Sequence, residues 1–101
     1  MITDNHRGIG RTTEQLKRLP DGGVFIIHNR VFKTYCERLL AEHCPEKKVR
    51  FMTLQDMVNG AWHGLQVPGV LMDHHAFTCA TTKQYQAYRH FQDYVNVNSR
   101  S

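Results

Sequence analysis

Apolar positions along this chain fall into short blocks set between polar turns, and the period within a block changes from one to the next. Val24-Phe25-Ile26-Ile27 is a continuous β-branched and aromatic run, the pattern of a strand covered on both faces. Pro20-Asp21-Gly22-Gly23 ahead of it marks a turn. Before that turn, Thr12-Thr13-Glu14-Gln15 has the Thr-x-x-Gln form of a capping box, which predicts a polar, glycine-containing opening and then a short helix through Leu19.

Asn29 is placed to cap the clearest helix in the chain. Val31, Phe32, Tyr35, Cys36, Leu39 and Leu40 recur at the spacing of one buried face, while Arg30, Lys33, Glu37 and Arg38 occupy the other. Pro45 stops it. Val49-Arg50-Phe51-Met52 reads as a second strand, Thr53 caps a short helix over residues 54–59, and Gly60 ends that helix. After a loop around Trp62 and Pro68 comes a third strand, Val70-Leu71-Met72. Thr81-Thr82 opens a last helix with Tyr85, Tyr88, Phe91, Gln92 and Val95 along one stripe, and the polar residues after 95 read as a tail.

Strands separated by helices imply parallel pairing, and continuous apolar strands imply a sheet covered on both faces. The expected fold is therefore a three-layer α/β domain, with a small, mainly parallel sheet flanked by helices. Ligands of such sheets sit beyond the carboxyl ends of the strands. Here those ends are His28-Asn29, Thr53 and Asp73-His74-His75.

At 101 residues and 41% hydrophobic positions the chain suits one domain over residues 1–101, with 1–9 and 97–101 as flexible ends. A net charge of +4, to which seven histidines add in mild acid, favours anionic partners. Three cysteines, Cys36, Cys44 and Cys79, form no CxxC pair, so neither a disulfide framework nor a zinc knuckle is signalled, and a reducing, cytoplasmic setting follows. No apolar run approaches the roughly 20 residues that span a bilayer, so no membrane partner is expected.

Candidate contacts are spread along the chain. Arg30, Lys33, Arg38, Lys47, Lys48 and Arg50 are dense enough for nucleic acid or an acidic host protein, with His28 and His74 at strand ends beside them; Glu37, Glu42 and Glu46 intervene as on a solvated face. His74 and His75 would alternate sides of a strand, one toward a site and one toward water. His28 could join one of them and Cys79 at a metal, although the set lacks ligand spacing. Tyr85 and Tyr94 could stack on bases or on a partner, and Trp62 either anchors its loop or marks a binding spot.

Gly8-Ile9-Gly10-Arg11-Thr12-Thr13 also has the look of a phosphate-binding loop, with Gly-Arg-Thr where a P-loop carries Gly-Lys-Thr. Val70-Leu71-Met72-Asp73 has the look of the apolar, acid-ended strand that partners such a loop. Taken with Phe25-Ile26-Ile27-His28-Asn29 and Phe51-Met52-Thr53-Leu54 between them, this order resembles the first ATPase lobe of helicase-like P-loop NTPases over nearly the whole chain. The resemblance implies a P-loop NTPase-like fold in which Gly10, Arg11, Thr12 and Thr13 contact phosphate. It further implies Thr12 and Asp73 at magnesium, ATP and magnesium as cofactors, and strand ends that face nucleic acid.

The departures from that pattern are chemical. Asn5 stands where the first glycine belongs, Arg11 replaces the lysine, His74 replaces the general-base Glu, and no strand leads into the loop. What is expected is a small, degenerate P-loop-like protein that binds a phosphate-containing ligand or a macromolecular partner and does not turn over ATP. The alternatives are a phage or mobile-element interaction module acting on a host nuclease or helicase, and a nucleic-acid-binding module.

Overall fold

The computed structural model describes residues 3–99, with side chains over 11–97. In chain order the elements are α1 (Thr3–Arg18), β1 (Val24–Ile27), α2 (Arg30–His43), β2 (Arg50–Thr53), α3 (Leu54–Val58), β3 (Val70–Met72), α4 (His74–Cys79) and α5 (Thr82–Ser99). The strands form one parallel sheet in the order β2-β1-β3. Ile26 of β1 lies opposite Met52 on one side and Met72 on the other.

All four residues of β1 are buried, because the central strand has a strand on each side and helices on each face. Alternate side chains point to opposite faces. Phe25 and Ile27 pack with Leu16 of α1, Leu19 just past its end, and Cys36 and Leu39 of α2. Val24 and Ile26 pack instead with Met57 of α3, Ala76 of α4, and Tyr88, Phe91 and Val95 of α5. The expected small parallel α/β domain is the one observed.

The predicted caps hold their helices. Asn29 Oδ1 accepts the Phe32 amide at 3.0 Å at the start of α2. Thr53 and Asp56 exchange reciprocal bonds at the start of α3, and Gly60, at φ +83°, sits just past its end. Thr81 and Gln84 make the same reciprocal box ahead of α5. Trp62 anchors its loop: its ring stacks on Phe91 with centroids 5.2 Å apart, and its indole N–H donates to the Met57 carbonyl at 3.0 Å.

The outer edge of β3 is closed by α5. In a parallel ladder successive amides point to opposite sides. Asp73 N–H donates inward to the Ile26 carbonyl at 2.8 Å. Met72 N–H finds the hydroxyl of Tyr88 at 3.1 Å, and Gln92 donates to that same hydroxyl at 3.2 Å. A buried phenol thus takes the place of a fourth strand.

Several expectations are corrected. Residues 8–13 are not a loop ahead of a helix but lie inside α1, which begins at Thr3. Propagating a helix backward from a packed half adds one hydrogen bond per residue, which offsets a glycine cost of about 1 kcal/mol each at Gly8 and Gly10. Val31 is 83% exposed and does not share the buried face of α2, because it stands in the first turn, at the edge of the layer. His74 and His75 begin a helix, α4, and do not alternate along a strand. Of the ends expected to be flexible, residues 3–9 and 97–99 have helical backbone, and 1, 2, 100 and 101 lie outside the described residues.

Candidate functional site

The strand order fixes where a site belongs. From β1 the chain moves to one neighbour and then crosses to the other, so the connections diverge between the carboxyl ends of β1 and β3, the topological switch point of such a sheet. His28 follows β1 there, and Asp73, His74 and His75 follow β3.

Asp73 is fully buried, and its oxygens are both engaged. Oδ1 accepts the hydroxyl of Thr12 at 3.0 Å, and Oδ2 accepts the His75 amide at 3.0 Å, which makes Asp73 the N-cap of α4. Charge buried without such donors is costly. Gln15 completes the junction: its amide nitrogen donates to the Met72 carbonyl at 2.8 Å, and its oxygen accepts the His74 amide at 3.1 Å. Thr12 and Gln15 are three residues apart on a helix and therefore share a face. The Thr-x-x-Gln spacing is not a capping box, then, but a two-residue grip on the β3–α4 corner.

The histidines crowd around this acid. The His74 and His75 ring centroids are 4.0 Å apart, His75 meets Phe32 edge-on at 5.4 Å, and His28 lies 5.0 Å from Phe32 and 6.3 Å from His75. Nδ1 of His28 and Nδ1 of His74 are buried without a hydrogen-bond partner. His74 Nδ1 stands 3.6 Å from Asp73 Oδ1, beyond hydrogen-bond reach. Among the described residues, Asp73, His74 and His75 form a group whose ligand atoms all lie within 4.8 Å of one another.

Burial dominates the electrostatics. It holds the His74 imidazole below its ordinary pKa; Asp73 pulls the other way, while His75 and Arg11 add to the lowering. Burial, followed by the charges of Asp73 and Glu37, pushes the Cys36 thiol up to about 12. Tyr35 is raised first by burial, then by Cys36 and Asp73. A mostly buried imidazole kept neutral can accept or ligate, whereas Cys36 is held as an inert thiol.

A second crevice opens between the carboxyl ends of β1 and β2. It is a cavity of about 200 Å³ lined by Ile27, Arg30, Lys33, Phe51, Met52, Thr53 and Asp56. Thr53 and Asp56 are committed to the α3 cap, with Asp56 N–H 3.1 Å from Thr53 Oγ1. Arg30 and Lys33 supply its positive charge.

The residues singled out in the sequence are thus dispersed over several places. Gly10, Arg11, Thr12 and Thr13 are all in α1, where Arg11 is exposed and Thr12 and Thr13 are buried. The basic run divides between opposite ends of the sheet. Arg30 and Lys33 stand at the carboxyl edge, Lys48 and Arg50 at the amino edge beside Gly22. Lys47 lies between, its ammonium donating to the Leu16 and Lys17 carbonyls at 2.9 and 2.8 Å and so capping the end of α1. Cys79 is exposed at the far end of α4. Tyr94 lies against Trp62 at 5.3 Å, and Tyr85 is 37% exposed. Gln15 enters the sequence reading only as a capping partner, although its place one turn after Thr12 is the signal of a shared helical face.

No protein family, no curated protein and no solved structure matches the chain. What the fold and the site define is a small parallel α/β domain with a buried acid and three histidines at its switch point.

Proposed function

We propose that this chain is a P-loop-like α/β domain that binds a phosphate-bearing ligand at the carboxyl edge of its sheet and does not turn it over. The observation that carries this reading is the crevice between the carboxyl ends of β1 and β2, on the other side of β1 from the switch point, which gathers Arg30 and Lys33 around one small cavity. At about 200 Å³ it is smaller than the roughly 300–1,000 Å³ of pockets that enclose whole small molecules, and it suits a phosphate group with the rest of the ligand outside.

The contacts come from side chains. Amides well inside a helix are spent on carbonyls four residues back, so residues 8–13 do not offer a phosphate the free N–H groups of a P-loop. Arg30 and Lys33 take that role at the crevice; Arg11 stands apart from it, near His74, whose pKa its charge lowers. Phosphoryl transfer wants a positioned base and bound metal at the phosphates. His74 stands in the place of the expected Glu, beside a buried Asp73 that accepts one bond at each oxygen.

Calorimetric titration with ATP tests this on the wild type and on Arg30→Ala/Lys33→Ala. Saturable binding that falls at least tenfold in the double variant, with no phosphate release over hours, is the expected result. Equal affinity in both proteins, or steady hydrolysis, refutes the reading.

A further inference from the structure

We propose that Asp73, His74 and His75 form a binding site for a divalent transition metal of the zinc class, with three protein ligands and an open fourth position. The proposal does not rest on the phosphate reading, whose contacts are Arg30 and Lys33 in the crevice on the other side of β1. Two independent observations point to it: the close grouping of one carboxylate and two imidazoles, and the buried, unpartnered Nδ1 of His74.

The distances fit an ion better than a hydrogen bond. Ligands bound at about 2.0–2.2 Å around a tetrahedral zinc stand roughly 3.3–3.5 Å from one another. His74 Nδ1 and Asp73 Oδ1 are 3.6 Å apart, too far to share a proton and close to that ligand-to-ligand spacing. The separations in the group are all within 4.8 Å, so the widest closes by at most about 1.3–1.5 Å on binding, a movement that rotation of the partly exposed His75 ring can supply.

The carboxylate has capacity to spare. It accepts one bond at each oxygen, from the Thr12 hydroxyl and the His75 amide, out of about four lone-pair sites. Those two donors fix its plane, as hydrogen-bonded neighbours commonly orient metal-binding carboxylates. Two imidazole nitrogens against one carboxylate select zinc, cobalt or nickel over magnesium or calcium, which take oxygen. His28, whose Nδ1 is also buried and unpartnered, has its ring 6.3 Å from that of His75.

The test uses the untagged full chain and zinc or cobalt chloride. Wild-type protein binds one Zn²⁺, and Co²⁺ produces the visible absorption of a four-coordinate ion. His74→Gln and His75→Gln each weaken Zn²⁺ binding at least tenfold, and Thr12→Val weakens it about 10- to 100-fold through the lost orienting bond. Wild-type NMR gives a reading that does not depend on any variant folding: Zn²⁺ shifts the imidazole resonances of His74 and His75. Absence of Zn²⁺ binding at millimolar metal overturns the proposal. So does undiminished affinity in the His74→Gln/His75→Gln double variant, or a response confined to His43, His63 and His90.

Discussion

The hydroxyl of Thr12 donates to Oδ1 of Asp73 at 3.0 Å, a fully buried bond that joins positions 61 residues apart. It fastens α1 to the corner where β3 becomes α4, beside the two bonds Gln15 makes to the same corner. The acid can stay in the interior because protein donors replace the water it lost.

Removing that donor leaves a buried carboxylate oxygen short of a partner. Thr12→Val keeps the shape and removes the bond, and its expected cost is about 1–3 kcal/mol of stability, within the range for hydrogen bonds to charged groups. Urea unfolding measures it. A change below about 0.5 kcal/mol contradicts the assigned role.

Tyr88→Phe tests the closed edge of the sheet. The substitution removes the acceptor of the Met72 amide and leaves a strand N–H buried and unpaired, for an expected loss of about 1–2 kcal/mol. Hydrogen exchange at the Met72 amide should accelerate while that at Asp73, which is bonded to Ile26, changes less. Equal acceleration at both would point to general loosening and not to a lost edge bond.

Cys36 links burial to pH. Its thiol has a folded-state pKa raised to about 12, from an ordinary value of 9.0. Below pH 9 the thiol is protonated in both states; between pH 9 and about 12 the unfolded chain ionises while the folded one resists, so its contribution to stability is lost as pH rises through that window. At pH 8 a disulfide reagent should modify exposed Cys79 at least about tenfold faster than buried Cys36, since the thiolate is the nucleophile and Cys36 is both buried and held protonated. Comparable rates for the two, read by peptide mapping, would show that Cys36 is neither buried nor perturbed.

Much of this fold was legible because some signals have only one structural reading. Val24-Phe25-Ile26-Ile27 and Val70-Leu71-Met72 are apolar at every position and became the central and edge strands at those residues. Asn29, Thr53 and Thr81 precede apolar periodicity and act as caps. Other signals have two readings. Thr12 and Gln15 are three apart, which describes a capping box and a helical face equally, and only the position of Asp73 in space decides between them. Val31 matched the helical period yet lies outside the core, because periodicity does not tell where a helix leaves the layer it covers. The basic residues from Arg30 to Arg50 are close in sequence but stand at opposite ends of a strand pair, since a parallel crossover carries the chain back along the full length of the sheet. Asp73 was legible as a strand-end acid; its histidine neighbourhood required the geometry of α4 and α2.

The central claim, phosphate binding at the carboxyl edge, is tested most directly by mapping backbone amide NMR shifts while the protein is titrated with tripolyphosphate. The account predicts saturable shifts clustered at Ile27, Arg30, Lys33 and Thr53, around the crevice between β1 and β2. Shifts confined to Lys48 and Arg50 at the opposite edge, or none at millimolar ligand, would contradict it.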